Sequence, residues 1–232
     1  MENKPLWKQT DPWTWKTFIS LLLLEFLFVM IVVKYGIQEL LEQWFDNSLY
    51  SGTLTGIVIA MVLITGVYFI ALRPKQLKWN EVGVRAFPAK DWRRILLWTL
   101  LLMIGGFAVL TFISYFGHTS ENSKTESLQQ NLSLMTLLIG LISAAVISPI
   151  YEEIFYRGFL YRWLRTRVGM TWGILISSLI FTAAHYPTTN TMPINFMDGV
   201  VFAWAYERTN SIWPGVIVHG LVNGISILLV VG

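Results

Sequence analysis

Apolar residues fall into about seven runs along the 232-residue chain, at 17–37, 54–72, 95–116, 132–150, 171–185, 194–205 and 212–231. Several approach the ~20 residues that an α-helix needs to cross a ~30 Å hydrocarbon core. The pattern predicts an all-α fold, a polytopic membrane helix bundle of about seven transmembrane helices, in which the fourth and sixth runs are the most weakly marked. The first run follows a polar, Trp-rich stretch of 16 residues and has no small-residue cleavage pattern behind it, so it reads as an uncleaved membrane helix rather than a signal peptide. No internal repeat, low-complexity tract or polar segment long enough to fold alone interrupts the chain. It reads as one continuous membrane domain, with N-terminal helices and a basic loop over residues 1–131 and a second helical part over residues 132–232.

Composition sharpens this picture. Hydrophobic residues make up 54% of the chain and charged residues 13%, against ~45–50% and ~25% in ordinary globular domains, so an ordinary soluble domain is excluded. The absence of cysteine excludes disulfide scaffolds, thiolate metal sites and cysteine nucleophiles. The net charge of +3 is modest, but its distribution is strongly biased. With a cytoplasmic N-terminus, the inside segments 1–16, 73–94, 157–168 and the turn at Arg208 hold 15 of the 17 Lys and Arg residues. Lys and Arg in short loops set membrane orientation, so this N-in topology in the cell membrane is the predicted one. Trp15, Trp44, Trp92, Trp172 and Trp213 stand at the ends of apolar runs, as interfacial anchors do.

Ionisable groups inside membrane helices cost at least ~2.5–3.5 kcal/mol at the centre of a span, so each is a functional candidate. The segment SPIYEEIFYRGFLYRWLRTR places Glu152, Glu153 and Arg157 directly after an apolar run. At ~100° per residue, Glu153 and Arg157 share a helix face one turn apart, whereas Glu152 points ~100° away. Arg157 can therefore pair with Glu153 and leave Glu152 free to serve as a general base. His185 closes the run WGILISSLIFTAAHYP, one turn after Phe181. A helix hairpin turning near Val168 and Gly169 would put Glu152 and His185 each ~25 Å from the bend, hence at one depth, where they could share a water or a metal. In the last run His219 and Asn223 lie one turn apart on one face, beside Gly220 and Gly224, which permit close helix approach. Such a polar pair also serves simply as interhelical hydrogen-bond glue. Glu25, in the first run, has no partner that spacing identifies, and Asp198 could line the same polar cavity; His118 falls in a polar loop and reads as solvated.

Taken in order, E-E-x-x-x-R at Glu152, Glu153 and Arg157, F-x-x-x-H at Phe181 and His185, and H-x-x-x-N at His219 and Asn223 resemble the CPBP family, the CAAX protease and bacteriocin-processing intramembrane proteases also called Abi proteins. The stretch GVVFAWAYERTNSIWPGVIVHGLVNG is similar to that family's approach to its last motif, and the resemblance covers about residues 132–232. It implies that Glu152 activates water, that His185 holds the same water, that Glu153 and Arg157 support them, and that His219 and Asn223 stabilise an oxyanion. The implied activity is that of an intramembrane endopeptidase cutting a peptide or membrane-associated protein near the cytoplasmic side. No H-E-x-x-H or G-x-S-x-G motif points to another protease class.

Metal use stays open on these residues. Glu152, His185 and His219 could form a two-His, one-carboxylate zinc site with an open position, or act on water directly. Asn223 beside His219 makes better sense as an oxyanion donor than as a ligand, which tilts the reading toward the metal-independent version. The partners expected are the lipid bilayer and a peptide or membrane-protein substrate, with no nucleic acid. Family resemblance suggests bacteriocin maturation, immunity or peptide signalling in bacteria, and removal of the last three residues of prenylated proteins in eukaryotes. Two alternatives remain at this stage: a non-catalytic bacteriocin immunity or peptide-binding protein of the same fold, and a small transporter with Glu152 and His185 as a proton relay. A straight helix from Leu132 to Arg165 would be ~50 Å long, so a bend near Pro149 or a projection into the cytoplasm is expected.

Overall fold

The computed structural model describes residues 8–115 and 132–231, so His118 and the polar loop around it lie outside the described residues. Seven helical rods make up the described chain: α1 (Trp15–Phe45), α2 (Ser48–Lys75), α3 (Trp92–Tyr115), α4 (residues 134–168), α5 (residues 170–183), α6 (Met192–Thr209) and α7 (Trp213–Val231). Among the described residues, five helical stretches are long and apolar enough to cross a membrane: α1, α2, α3, α7 and the 50-residue span Leu134–Ala183, in which α4 and α5 run on from one another. The reading of about seven helices counts that span as two rods and adds α6. α6 lacks the hydropathy of a membrane span because Asp198, Glu207 and Arg208 sit on it. The chain is a multi-pass membrane bundle.

Local chemistry sets the rod boundaries. Asn47 accepts the backbone N–H groups of Leu49 and Tyr50, both at 3.1 Å, and so starts α2, directly after Asp46 ends α1 in a left-handed conformation. Ser133 and Thr136 form a reciprocal capping box at the start of α4. Gly169, with φ 81° and ψ 177°, is the break between α4 and α5, where the hairpin was expected. α4 is not interrupted at Pro149; instead it carries two π-helical stretches, Ile142–Ile147 and Glu153–Tyr161. Such stretches shift the helix face and recur at functional sites.

Burial divides the rods by environment. α3 buries Ile95, Thr99 and Leu102 on one stripe and exposes Leu96, Leu97, Leu100, Leu101, Ile104 and Phe107, an apolar face suited to lipid tails rather than water. Trp15, Trp44, Trp92 and Trp172 are exposed near rod ends, and Trp213 is half-buried. The main core joins Trp13, Leu21, Val33 and Val67 of the N-terminal part to Phe155, Phe159, Trp163 and Phe181, so the two parts of the chain share one interior.

At one end of the bundle lies a belt of ion pairs. Glu207 receives Lys8, Arg165 and the Tyr161 hydroxyl, Arg162 bonds Glu81, and Arg167 bonds Asp11 at 2.6 Å. Trp13 Nε1–H donates to the Ala71 carbonyl at 2.9 Å, tying the N-terminal segment across the same end. All of the described segments that carry the Lys and Arg excess take part in, or adjoin, this basic belt.

Candidate active site

The three motifs meet about 15 Å from the belt, the rise of the ten helical residues between Glu152 and Arg162. Glu153 and Arg157 form a buried pair at 2.9 Å, with side-chain exposures of 1% and 2%. Arg157 is further held between aromatic faces, its guanidinium 4.3 Å from the Phe181 ring centroid and 5.0 Å from that of Phe202. Buried cation–π contacts of this kind contribute roughly 2 kcal/mol. The guanidinium also reaches the Gly199 carbonyl at 3.4 Å, linking α4 to α6.

Glu152 faces the other way, as the helix angle predicts. Its Oε2 is buried and has no hydrogen-bond partner among the described residues. Two imidazole nitrogens approach this oxygen: His185 Nε2 at 4.0 Å and His219 Nε2 at 3.9 Å. Both gaps are too wide for a direct hydrogen bond. His185 Nδ1 is 2.8 Å from the Phe181 carbonyl, which can only accept, so Nδ1 carries a proton and Nε2 is the ring nitrogen turned toward Glu152. The Phe181 ring lies against His185 at 4.5 Å, which gives the F-x-x-x-H spacing its physical meaning: one residue supplies both the carbonyl and the ring that orient the imidazole.

His219 lies between the two carboxylates, its Nδ1 3.3 Å from Glu153 Oε1 and its ring stacked on Phe202 at 4.6 Å. Asn223 donates Nδ2–H to the Ala144 carbonyl at 2.8 Å, so one amide hydrogen acts as interhelical glue and one is left over. Gly220 makes this approach possible, because a β-carbon there would collide with the Ala145 carbonyl of α4. All six motif residues, Glu152, Glu153, Arg157, His185, His219 and Asn223, are thereby gathered at the junction of α4, α5 and α7.

Sequence reasoning left Glu25 and Asp198 unassigned. Glu25 is buried on α1 and accepts the Tyr156 hydroxyl at 2.8 Å, one helical turn beyond Glu152. Lys34, also on α1, donates to the Ala184 carbonyl beside His185 at 2.8 Å. Asp198 is buried within electrostatic reach of His219 and Arg157. The charges themselves, set inside apolar runs, were the available signal; their partners are too distant in sequence to be read from spacing.

Two imidazoles and a carboxylate are donors that zinc accepts, but a tetrahedral site with ~2.1 Å bonds has ligand-to-ligand edges of ~3.4 Å. The gaps of 3.9 and 4.0 Å exceed that. Among the described residues no group of three or more His, Asp or Glu side chains is arranged to hold a metal ion. As arranged, His185 and His219 each stand farther from Glu152 than the edge of a tetrahedral zinc site.

Residues 134–225 match the family model "Rce1-like: Type II CAAX prenyl endopeptidase Rce1-like". This segment is similar to the CAAX protease family. The matched segment contains all six motif residues and leaves α1 to α3 outside it. Over 140 residues, the chain is 28% identical to "Putative membrane peptidase YdiL" of Bacillus subtilis, covering 56% of each protein. It is 31% identical over 91 residues to an uncharacterised 24.3 kDa protein of Escherichia coli, covering 38% of this chain and 42% of the relative. To the UPF0177 protein YbdI of Lactococcus lactis it is 26% identical over 176 residues, 72% of this chain and 90% of the relative. The chain thus spans about half the length of the first two of these curated relatives. No solved structure matches it.

Proposed function

We propose that the protein is an intramembrane endopeptidase that hydrolyses a peptide bond with a water molecule held between Glu152 and His185. The observation that carries this reading is the buried, unpartnered Glu152 Oε2 facing His185 Nε2 at 4.0 Å. One water making two ~2.8 Å hydrogen bonds at its natural angle spans ~4.4 Å, so the gap suits a bridging water within a few tenths of an ångström. That water donates one hydrogen to Glu152 and the other to the His185 lone pair, which leaves an oxygen lone pair directed at the substrate carbonyl.

In the reaction, Glu152 takes a proton as the water oxygen bonds to the carbonyl carbon, and the carbonyl electrons move onto oxygen. His219 in its protonated form donates Nε2–H to that oxyanion while Nδ1–H stays with Glu153, and the second Asn223 N–H is the other donor. Such donors each contribute roughly 3–4 kcal/mol to the transition state. The tetrahedral intermediate then collapses, the C–N bond breaks, and Glu152 returns its proton to the leaving amine. The water's remaining proton passes from the new carboxylic acid to the amine, so the two products are a carboxylate and an ammonium, with no covalent enzyme intermediate. Glu153 and Arg157 are positioning residues: they hold His219 and join α4 to α6 without touching the reacting atoms.

The test is cleavage of a peptide library by the purified protein in lipid, comparing wild type with Glu152→Ala and His185→Ala, each with and without a zinc chelator. Cleavage by wild type that both variants lose, and that chelator leaves intact, is the expected result. Chelator sensitivity reversed by zinc would overturn the metal-independent mechanism. A folded wild type that cuts no peptide would move the binding or immunity reading ahead.

A further inference from the structure

The site is closed on one side and polar on the other. Every residue from Tyr151 to Leu164 is buried, and Phe155, Tyr156, Phe159, Tyr161 and Trp163 are at most 2% exposed. Packed aromatic protein therefore fills the ~15 Å between Glu152 and the basic belt. Toward the opposite end, every residue from Leu141 to Ser148 is at least partly exposed.

Helix lengths show what lies there. α5 runs from residue 170 to 183, so it rises only ~21 Å from its turn at Gly169, whereas α4 continues ~27 Å beyond Glu152 to Leu134. The connection over residues 184–191 accordingly lies level with Glu152, ~15 Å from the belt and near the middle of a ~30 Å hydrocarbon core. Side-chain contact gives the same level: His185 Nε2 faces Glu152 Oε2 at 4.0 Å, and the neighbouring Ala184 carbonyl accepts Lys34 of α1 at 2.8 Å.

Irregular backbone at that depth is tolerated only where protein buries it or where it lines water, because lipid tails offer no hydrogen bonds. Protein does not bury this one. Tyr186, Pro187 and Thr189 are exposed, and Thr188, Asn190 and Thr191 are partly exposed. Its sequence is polar, with Thr188, Thr189, Asn190 and Thr191 in a row and Asn195 one turn on, bonded to Thr191 at 3.4 Å. The partly exposed Lys34 ammonium sits at the same level.

We infer that water and substrate reach the site from the membrane face opposite the basic belt, through a polar mouth formed by residues 184–191 and bordered by Lys34 and Asn195. With the belt cytoplasmic, the mouth opens outward, and its substrate is a peptide segment presented on the extracytoplasmic side. This proposal differs from the cytoplasmic-side cut expected from sequence. The identity of what enters rests on the proposed peptidase; the existence and side of the mouth do not.

The chain has no cysteine, so single-cysteine variants report side directly. Thr189→Cys and Asn190→Cys place thiols in the mouth, Lys90→Cys places one on the exposed basic loop, and Leu179→Cys places one on the lipid-facing surface of α5. Each is treated with a charged, membrane-impermeant maleimide in sealed right-side-out and in inverted vesicles. Both mouth thiols are expected to react from the face opposite to Lys90→Cys, while Leu179→Cys reacts from neither. Reaction of the mouth thiols from the Lys90 face, or from neither face despite reacting after denaturation, would overturn the inference. Because the readout needs no cleavage, a mapped mouth with no hydrolysis would count against the peptidase alone.

Discussion

Glu153 and Arg157 differ from a surface ion pair in what their loss leaves behind. At exposures of 1% and 2%, removing either partner strands a charge in the interior, which typically costs ~3–5 kcal/mol. Arg157→Met and Glu153→Leu are therefore expected to lower the unfolding midpoint in detergent sharply, and Arg157→Lys to recover only part of it, since a lysine keeps the charge but not the planar stacking between Phe181 and Phe202. Glu152→Gln, by contrast, removes a carboxylate whose nearest imidazoles are 3.9 and 4.0 Å away, so it is expected to change the midpoint far less. Tyr156→Phe leaves the buried Glu25 carboxylate without its donor, and a loss of ~1–3 kcal/mol is expected in the same assay. The division between Glu152 and Glu153 was legible in the sequence because both pairings lie within one helix, where rotation per residue fixes the faces. Glu25 and Tyr156 are 131 positions apart, and no local periodicity relates them.

At the scale of elements, the register between α4 and α7 is set by small residues. A side chain at Gly220 would meet the Ala145 carbonyl, and at Gly224 it would meet the Ala145 side chain at 3.4 Å. Gly220→Val is expected to push α7 away from α4, pull His219 back from Glu152, and lower turnover at least tenfold on a cleaved peptide. Gly106→Ala on α3, with nothing within 4 Å of the added carbon, is expected to have no effect in the same assay. The level of His185 relative to Glu152 could be read from sequence because Gly169 marks the hairpin and rise per residue does the rest. That α4 stays helical through Pro149, with a π-helical stretch on either side, could not. Nor could the second task of Asn223, whose bond to Ala144 depends on how closely two helices approach.

For the whole molecule, charge bias and burial point the same way. The described Lys- and Arg-rich segments converge on one belt, where Lys8, Asp11, Arg162, Arg165, Arg167 and Glu207 bond one another or the loop at Glu81. A fluorescent protein fused to the N-terminus is expected to mature and fluoresce, and an N-terminal alkaline phosphatase fusion to be inactive; the reverse pattern would invert the assigned topology. Sequence predicted this asymmetry from Lys and Arg counts alone, but not that the belt-side half of the bundle is its packed half. Exposure to lipid and exposure to water leave the same apolar signature until helix lengths show which connection falls short of the surface.

The account turns on one water shared by two side chains, and a double-mutant cycle tests that sharing directly. On a cleaved peptide, kcat/KM is measured for wild type, Glu152→Gln, His185→Gln and the double variant. If both groups act on the same water, each single change removes most of the rate and the double variant is scarcely slower than the worse single one, the strong non-additivity of residues that work as a unit. Losses that multiply independently, or a Glu152→Gln protein that still cleaves, would contradict it.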